Sequence, residues 1–500
     1  MTETLTQSAS TWPNPETWTG KIYDGTWITP ASGQIMTVTG PLEDGTATAV
    51  VGLASPEDVA AASARAAATQ RDWEEVGVAD KAAIFHKAAE AAQRHAADIT
   101  SWIQREVGAV SAMAGVEISY GTEIINQAAS LVAAPRGEVL PPIKPGQFSY
   151  ARRAPLGVVG VIGPWNAPFM LGLRSLAPAL ALGNAVVLKP APATPIAGGA
   201  AIAQLFEEAG LPPGLLQVVP GDVEAGDALV RDPNVASISF TGSTKVGREV
   251  GRVAGEHFKR VQLELGGNNA FIVLDDADFE AAIATGLACS ILGNGQGCLC
   301  IGRHLVHESL VERYTTEIAR RAADVHPADP RQPGVFLGPV INQRQVDHLT
   351  RVVDETVAAG AKVLTGGKPD GQFFPPTVLT NVDRSMPAFA EEVFGPVISI
   401  VPFSSDAEAV EIANDTEFGL TAAIFSRNTS RAQTIAKQLN VNKIHINDVT
   451  ALATAWAPLS GRGASGNAAA FGGTSDLDAY TQWQWVTISN EADVPGAFAL

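Results

Sequence analysis

Cysteine is scarce in this chain, with three among 500 residues. That is not a disulfide framework. It points to a reducing compartment, and the cytoplasm is the expected location. Cationic residues are also in deficit, 34 Lys and Arg against 52 Asp and Glu, giving a net charge of −18. Nucleic acid and anionic membrane surfaces both demand basic patches, so neither is an expected partner. No run reaches the roughly 18 consecutive apolar residues of a membrane span. Residues 1–19 carry neither a basic n-region nor an apolar h-region, so no secretory signal is expected. A G-x-G-x-x-G dinucleotide fingerprint is missing, because Gly157 and Gly160 fall inside a strand at the wrong spacing. Internal repeats and low-complexity segments are absent as well. What remains, 46% hydrophobic residues and 48 glycines in a long chain, fits a soluble α/β protein of two or three domains.

Short strands are expected over 21–29, 35–39 and 47–53. Ser55 then caps a helix, with Pro56 in its first turn and Asp58 completing a capping box. Alanine-rich helices follow over 56–73, 80–99, 101–114 and 116–133. Pro135, Pro141, Pro142 and Pro145 break the pattern. The alternating stretch 148–152 reads equally as a surface hairpin or as an arm that pairs with another subunit. Strand and helix alternate from Pro155: strands over 157–162, 185–189, 216–219 and 236–240, helices over 174–181, 196–209 and 222–231. This predicts a doubly wound parallel sheet. A second α/β unit follows residue 264. Its expected strands are 271–274, 303–307, 362–364, 397–402, 422–425 and 443–446, and its expected helices 278–292, 309–323, 342–359 and 406–413. The alternating tail 480–487 fits a strand that pairs with the 148–152 arm.

Four features carry candidate chemistry. Cys298 lies in Gly295-Gln296-Gly297-Cys298-Leu299-Cys300. It is either a buried structural thiol or, as the flanking glycines of a tight exposed turn suggest, a nucleophile. Zinc is not expected, because Cys-x-Cys with only distant His304 and His307 is poor ligand spacing. Glu264 interrupts the apolar strand Val261-Gln262-Leu263-Glu264-Leu265. It either points to solvent or is a buried base whose pKa desolvation raises. Asn166 lies between two prolines in Gly163-Pro164-Trp165-Asn166-Ala167-Pro168. It is a turn residue or a rigid amide donor to an oxyanion. Thr241-Gly242-Ser243-Thr244 opens a helix over 245–254 and is an anion site or a plain cap.

Six stretches, in the same order and spacing, resemble the NAD(P)-dependent aldehyde dehydrogenase superfamily: Pro164-Trp165-Asn166, Ala185-Val186-Val187-Leu188-Lys189-Pro190, Phe240-Thr241-Gly242-Ser243-Thr244, Leu263-Glu264-Leu265-Gly266-Gly267, Gly295-Gln296-Gly297-Cys298 and Glu391-Glu392-Val393-Phe394-Gly395-Pro396. The likeness covers nearly the whole chain. Gly266-Gly267-Asn268-Asn269, Arg303-His304-Leu305-Val306-His307, His445-Ile446-Asn447-Asp448 and Gln482-Trp483-Gln484-Trp485-Val486 look most like bacterial benzaldehyde dehydrogenases, with vanillin-type enzymes close by. The resemblance implies that fold: a Rossmann-like cofactor domain over 1–133 and 153–264, a catalytic domain over 265–472, and a small β oligomerisation arm over 134–152 and 473–500. A homodimer or homotetramer is implied.

By the same resemblance Cys298 is the nucleophile and Glu264 the base that activates water. Asn166 and the Cys298 backbone N–H form the oxyanion hole. Lys189 holds the adenosine ribose, Ser243 meets the pyrophosphate, Glu392 holds the nicotinamide ribose and Phe394 packs by the nicotinamide. Trp165, Gly242 and Leu265 line the cofactor cleft. The substrate tunnel takes Ala167, Met170, Leu171, Arg174, Gly297, Leu299 and Leu459, with Trp456 stacking on a flat ring; Arg174 is alternatively a structural ion-pair residue. The implied reaction is oxidation of an aromatic aldehyde to its acid through a cysteine thiohemiacetal and thioester, with CoA-acylating or aliphatic aldehyde oxidation as the alternative. Glu264 argues against CoA acylation, because relatives that use a thiol acceptor lack the base. An intact Cys298, Glu264 and Asn166 set argues against a purely structural use of the fold.

Three departures stand out. The Lys-Pro-x-Glu of many NAD-preferring members is Lys189-Pro190-Ala191-Pro192 here, Gly-Gly-Lys is Gly266-Gly267-Asn268, and Pro-Phe-Gly-Gly is Pro458-Leu459-Ser460-Gly461. The first leaves both NAD and NADP as expected cofactors. The other two touch packing and pocket shape.

Overall fold

The run Val158–Ile162 is apolar on both faces, as a parallel strand covered by helices on both sides must be. It lies near the middle of a seven-stranded sheet ordered Arg260–Glu264, Val235–Thr241, Val158–Ile162, Ala185–Lys189, Leu216–Val218, Ile22–Tyr23 and Trp27–Ile28. The first five strands are mutually parallel, and the last two form an antiparallel hairpin at the edge. The computed structural model describes residues 12–42 and 47–491; the expected polar start over 1–11 and the end of the arm over 492–500 lie outside the described residues.

A second seven-stranded sheet runs Lys362–Thr365, Thr377–Thr380, Val397–Phe403, Ile301–His307, Asn269–Val273, Thr421–Phe425 and Lys443–Ile446. It is parallel except for its first strand. The chain is therefore an α/β protein with two parallel-sheet units, each with its own core. Two apolar clusters cover the second sheet, one on each face. The strand Thr377–Thr380, close behind Pro375 and Pro376, and the helix Thr429–Ala436 are absent from the sequence expectation.

The capping box at Ser55 forms: its Oγ accepts from Asp58 N at 3.2 Å, and Asp58 accepts from Ser55 N at 2.9 Å. The following helices are Pro56–Glu75, Val78–Arg94, Ala96–Val107 and Ser111–Leu131. Their breaks fall at His95 and Gly108 rather than at residues 100 and 115. Alanine-rich sequence has little polar contrast between its faces, so periodicity locates such breaks poorly. Gly108 takes φ +75°, and a Cβ there would meet Pro339 at 2.8 Å. The expected helix 196–209 begins as a π turn, Ile196–Ala200. The buried Glu106 carboxylate accepts from its first two N–H groups at 2.9 and 2.8 Å. Burial pushes Glu106 up to about 8.

The arm is a third, three-stranded sheet of Gly137–Leu140, Gln147–Pro155 and Thr481–Ser489. The tail pairs with the arm of its own chain, antiparallel, from Thr481 opposite Pro155 to Ser489 opposite Gln147. No helix among the described residues is long and apolar enough to cross a membrane.

Candidate active site

The parallel strands of the first sheet end on one edge, where ligands of open α/β sheets bind. In register there, Thr241 lies beside Glu264, Phe240 beside Ile162, and Ile162 beside Lys189. Past Ile162 the chain turns into the helix Pro168–Ala181, whose start is anchored where Phe169 N donates to buried Glu117 at 3.2 Å. Asn166, in that turn, donates from Nδ2 to the carbonyl of Gln296 at 3.0 Å. This bond joins the first sheet to the cysteine loop of the second.

The loop is shaped by backbone and amides. Gly293, Asn294 and Gly295 all have positive φ, of +56°, +62° and +71°. A Cβ on Gly295 would lie 2.2 Å from the Gly395 backbone, so only glycine fits. Buried Asn294 donates to the carbonyls of Gly108 at 3.0 Å and Pro339 at 2.9 Å, and accepts from Gly338 N at 2.7 Å. Gln296 accepts from Ile341 N at 3.0 Å. Asn269 donates to the carbonyls of both Cys298 and Cys300, at 2.8 and 2.7 Å. With Cys300 N bonded to the Gly297 carbonyl at 3.0 Å, the turn is closed around Cys298. The Cys300 thiol donates to the Leu292 carbonyl. His304 is taken up by Ser290 and Tyr314 at 2.8 and 2.9 Å. Among the described residues no group of three or more His, Cys, Asp or Glu side chains is gathered as a metal would require.

Glu264 points inward, not to solvent, and is only 5% exposed. Gly461 N donates to it at 3.1 Å. Burial pushes its carboxyl up to about 8, against the opposing pull of Arg174, the Gly461 bond and Lys443. Cys298 keeps some exposure toward the cavity, yet burial, then Glu264 and Glu392, push its thiol up to about 12, with Lys443 and Arg174 opposing. The resting thiol is protonated at neutral pH.

The residues matched to a dinucleotide converge on the same edge. Glu392 accepts from Gly267 N at 2.8 Å and has no cation partner among the described residues. Burial raises it to about 7. Lys189 is buried, with Nζ donating to the Pro190 carbonyl at 3.3 Å. Burial lowers it to about 8 despite Asp222 nearby. Ser243 caps the helix Thr244–Glu256, and Leu265 packs so closely on that helix that a Cβ on Gly247 would fall 2.3 Å from it. Trp165 and Phe394 meet edge to face at 5.6 Å. Phe394 has φ +55°, and its carbonyl is held by Gln345 at 2.8 Å. An acceptor carboxylate, a cation and a helix N-terminus on one edge fit the hydroxyls and pyrophosphate of NAD.

Gly266 is the tightest point of this set, since a Cβ there would lie 2.0 Å from Glu392 Oε2. Gly266→Ala is therefore expected to displace the carboxylate and raise the dissociation constant for NAD at least about tenfold, roughly 1.4 kcal/mol. Fluorescence titration checks this, and an unchanged constant would show that Glu392 can move without cost.

Asn166, Ala167, Met170, Leu171, Arg174, Glu264, Gly297, Cys298, Leu299 and Leu459 line one cavity of about 160 Å³. Trp456 is not among its walls; it is 63% exposed. The aromatic walls are Tyr120 and Phe471 instead. Met113, Val116 and Tyr120 come from the helix Ser111–Leu131. Their spacing of three and four residues puts them on one helical face, a signal the sequence does carry. Arg174 makes no ion pair among the described residues. Its guanidinium lies 3.9 Å from the Phe471 ring and donates to Tyr120 Oη at 2.7 Å.

The profile of the aldehyde dehydrogenase family matches residues 27–486. A vanillin dehydrogenase of Amycolatopsis is 44% identical over 96% of this chain and 98% of its own. A benzaldehyde dehydrogenase [NAD(+)] of Pseudomonas putida is 41% identical over 94% of this chain and 96% of its own. Among solved structures, betaine aldehyde dehydrogenase from Staphylococcus aureus in complex with NAD+ superposes with a TM-score of 0.93 at 28% identity, covering 97% of each chain. A match of this extent makes the chain a member of the aldehyde dehydrogenase family.

Proposed function

We propose that this protein oxidises an aromatic aldehyde, benzaldehyde or a ring-substituted benzaldehyde, to the carboxylic acid. The observation that carries this reading is the single cavity whose walls include Tyr120 and Phe471 together with Cys298 and Glu264. Small Ala167 and Gly297 leave width for a flat ring beside the thiol. The Cys298 thiol gives up its proton to water, Sγ bonds to the aldehyde carbon as the carbonyl π bond breaks, and charge develops on the carbonyl oxygen. Asn166 Nδ2 and the Cys298 N–H donate to that oxygen. NAD, when bound, supplies the hydride acceptor that converts the thiohemiacetal to a thioester. Glu264 then takes a proton from water as it attacks the thioester, releasing the acid and the thiol. Glu392, Lys189 and Ser243 hold the dinucleotide, flanked by Trp165, Gly242, Leu265 and Phe394.

Absorbance of the reduced nicotinamide, followed with benzaldehyde with and without CoA, tests this. Benzoate formed without CoA supports hydrolysis. A requirement for CoA, or a clear preference for aliphatic aldehydes, overturns the reading.

The cofactor domain comprises residues to 133 and 153–264, the catalytic domain 265–472, and the arm 134–152 with the tail from 473. The arm sheet carries the reading of a homodimer or homotetramer. The edge strand Thr481–Ser489 exposes Trp483, Trp485 and Ile488 beside a row of backbone groups free to pair. A monomer by light scattering at working concentration contradicts this. The location proposed is the cytoplasm.

Both dinucleotides are expected to serve. A carboxylate near the ribose 2′-oxygen normally rejects NADP, by accepting from the 2′-hydroxyl and repelling a 2′-phosphate. At the matching position stands Pro192, which does neither, and Lys189 is a nearby cation; Lys245, at the start of the Ser243 helix, adds a second positive charge. The preference for NAD in kcat/KM is therefore expected to lie within about tenfold, roughly 1.4 kcal/mol. A preference of about a thousandfold would move the rejection to another group, and Asp222, which acts on Lys189, is the first to replace.

A further inference from the structure

Next to the substrate cavity lies a second one, of about 120 Å³, whose walls include the exposed residues Leu452, Ala457 and Pro458. The two share Arg174, Ala453 and Leu459 as walls. The second cavity is further lined by Lys443, His445 and Thr454. Lys443 Nζ, Arg174 Nε, His445 Nε2 and Thr454 Oγ1 are all sealed from solvent and without a hydrogen-bond partner. Four residues in the walls of one cavity thus carry such atoms. An ammonium closed off from water without a partner is costly, by several kcal/mol.

The backbone explains the grouping. Lys443 and His445 belong to the edge strand Lys443–Ile446, with Lys443 opposite Thr421 and His445 opposite Ala423. Two residues apart, they present to the same face of the sheet. Arg174 enters on the helix Pro168–Ala181, from the other sheet unit. Its Nη1 is used by Tyr120, but its Nε is not. Two of the four unpartnered atoms belong to cations that can only donate, and the others, an imidazole nitrogen and a hydroxyl, can donate as well. The missing group is an acceptor. Cys298 and then Glu264 act on Lys443 through space, and Asp448 acts on His445, but Glu264 is hydrogen-bonded to Gly461, not to the lysine.

We infer that Lys443, Arg174 and His445 form a subsite for an anionic oxygen on the substrate ring, a carboxylate or an ionised phenol, while the aldehyde carbon meets Cys298. The inference rests on the aromatic-aldehyde reading above and narrows it to acidic benzaldehydes. The ring lies in the substrate cavity beside Ala167 and Gly297, and its acidic substituent passes Leu459 and Ala453 into the second cavity. A neutral substituent of the same size leaves the cations unpartnered, and discrimination against it follows.

The test compares kcat/KM for 3- and 4-formylbenzoate with that for 3- and 4-methylbenzaldehyde, in the wild-type protein, Lys443→Met and Lys443→Arg. At least one formylbenzoate is expected to be preferred over its methyl counterpart by about tenfold or more, with the preference lost in Lys443→Met and kept in Lys443→Arg. 4-Hydroxybenzaldehyde separates the two sources of charge: a preference confined to it, growing as the phenol ionises, assigns the subsite to phenolates. Without any variant, terephthalate should inhibit at lower concentration than 4-methylbenzoate. Equal use of charged and neutral rings by the wild type overturns the inference. So does Lys443→Met that slows both classes alike, which would make the lysine a partner of Cys298 and Glu264. If benzaldehydes are not oxidised while aliphatic aldehydes are, the aromatic reading itself fails and the subsite falls with it.

Discussion

Replacing Cys298 by alanine is expected to lower aldehyde oxidation by about 10⁴-fold or more while leaving NAD affinity within about twofold. The loop should keep its shape, because the bonds that close it involve no sulfur of residue 298. Asn269 holds the carbonyls of residues 298 and 300, Asn294 ties the preceding turn to Gly108 and Pro339, and Gln296 is fixed by Ile341. Cys300 should not take over. Its thiol is turned to the Leu292 carbonyl, and burial raises its pKa well above the ordinary thiol value. Cofactor titration and turnover measured on the same sample decide the matter. Ordinary turnover in Cys298→Ala would remove the nucleophile from the proposal altogether.

The parts of this molecule that can be read from sequence are those governed by short-range rules. Continuous apolar runs such as Val158–Ile162 and Ala185–Lys189 announce buried parallel strands, and Ser55, Pro56 and Asp58 announce a helix start. The glycines at 295 and 297 signal a tight turn, and the structure shows why: one has φ +71°, and a Cβ on the other would approach Cys300 Sγ to 2.9 Å. Glu264 alone in an apolar strand is ambiguous until the fold supplies Gly461 opposite it. What cannot be read locally is what long-range packing decides. Trp456 belongs to a loop whose path no periodicity fixes, and its side chain turns outward. Tyr120 and Phe471, more than three hundred residues apart in the chain, meet around Arg174 only after the two units pack. Lys443 looks like an ordinary strand residue until burial leaves its ammonium without a partner.

Glu264→Gln is expected to separate acylation from hydrolysis. The amide is the same size and can still accept from Gly461 N, so the site should remain assembled around an uncharged group. It cannot take a proton from water. One equivalent of reduced cofactor per active site should therefore appear rapidly, followed by a steady state slower than wild type by about 10²- to 10⁴-fold. The pH dependence sharpens the assignment. Burial holds the Glu264 carboxyl up to about 8, so in the wild type the hydrolytic step should rise as pH climbs toward 8 and level off above it. In Glu264→Gln that limb should vanish from the steady state while the burst keeps its own profile. Stability provides the control. A carboxyl whose folded pKa lies above its unfolded value is bound to its proton more tightly when folded, so its contribution is lost as pH rises from about 4.5 to 8. The glutamine variant escapes that loss and should melt no lower than wild type at pH 9, so slow turnover there is not unfolding. Burst and steady state falling together would place Glu264 before or at hydride transfer, and the role given to it as the base for water would be withdrawn.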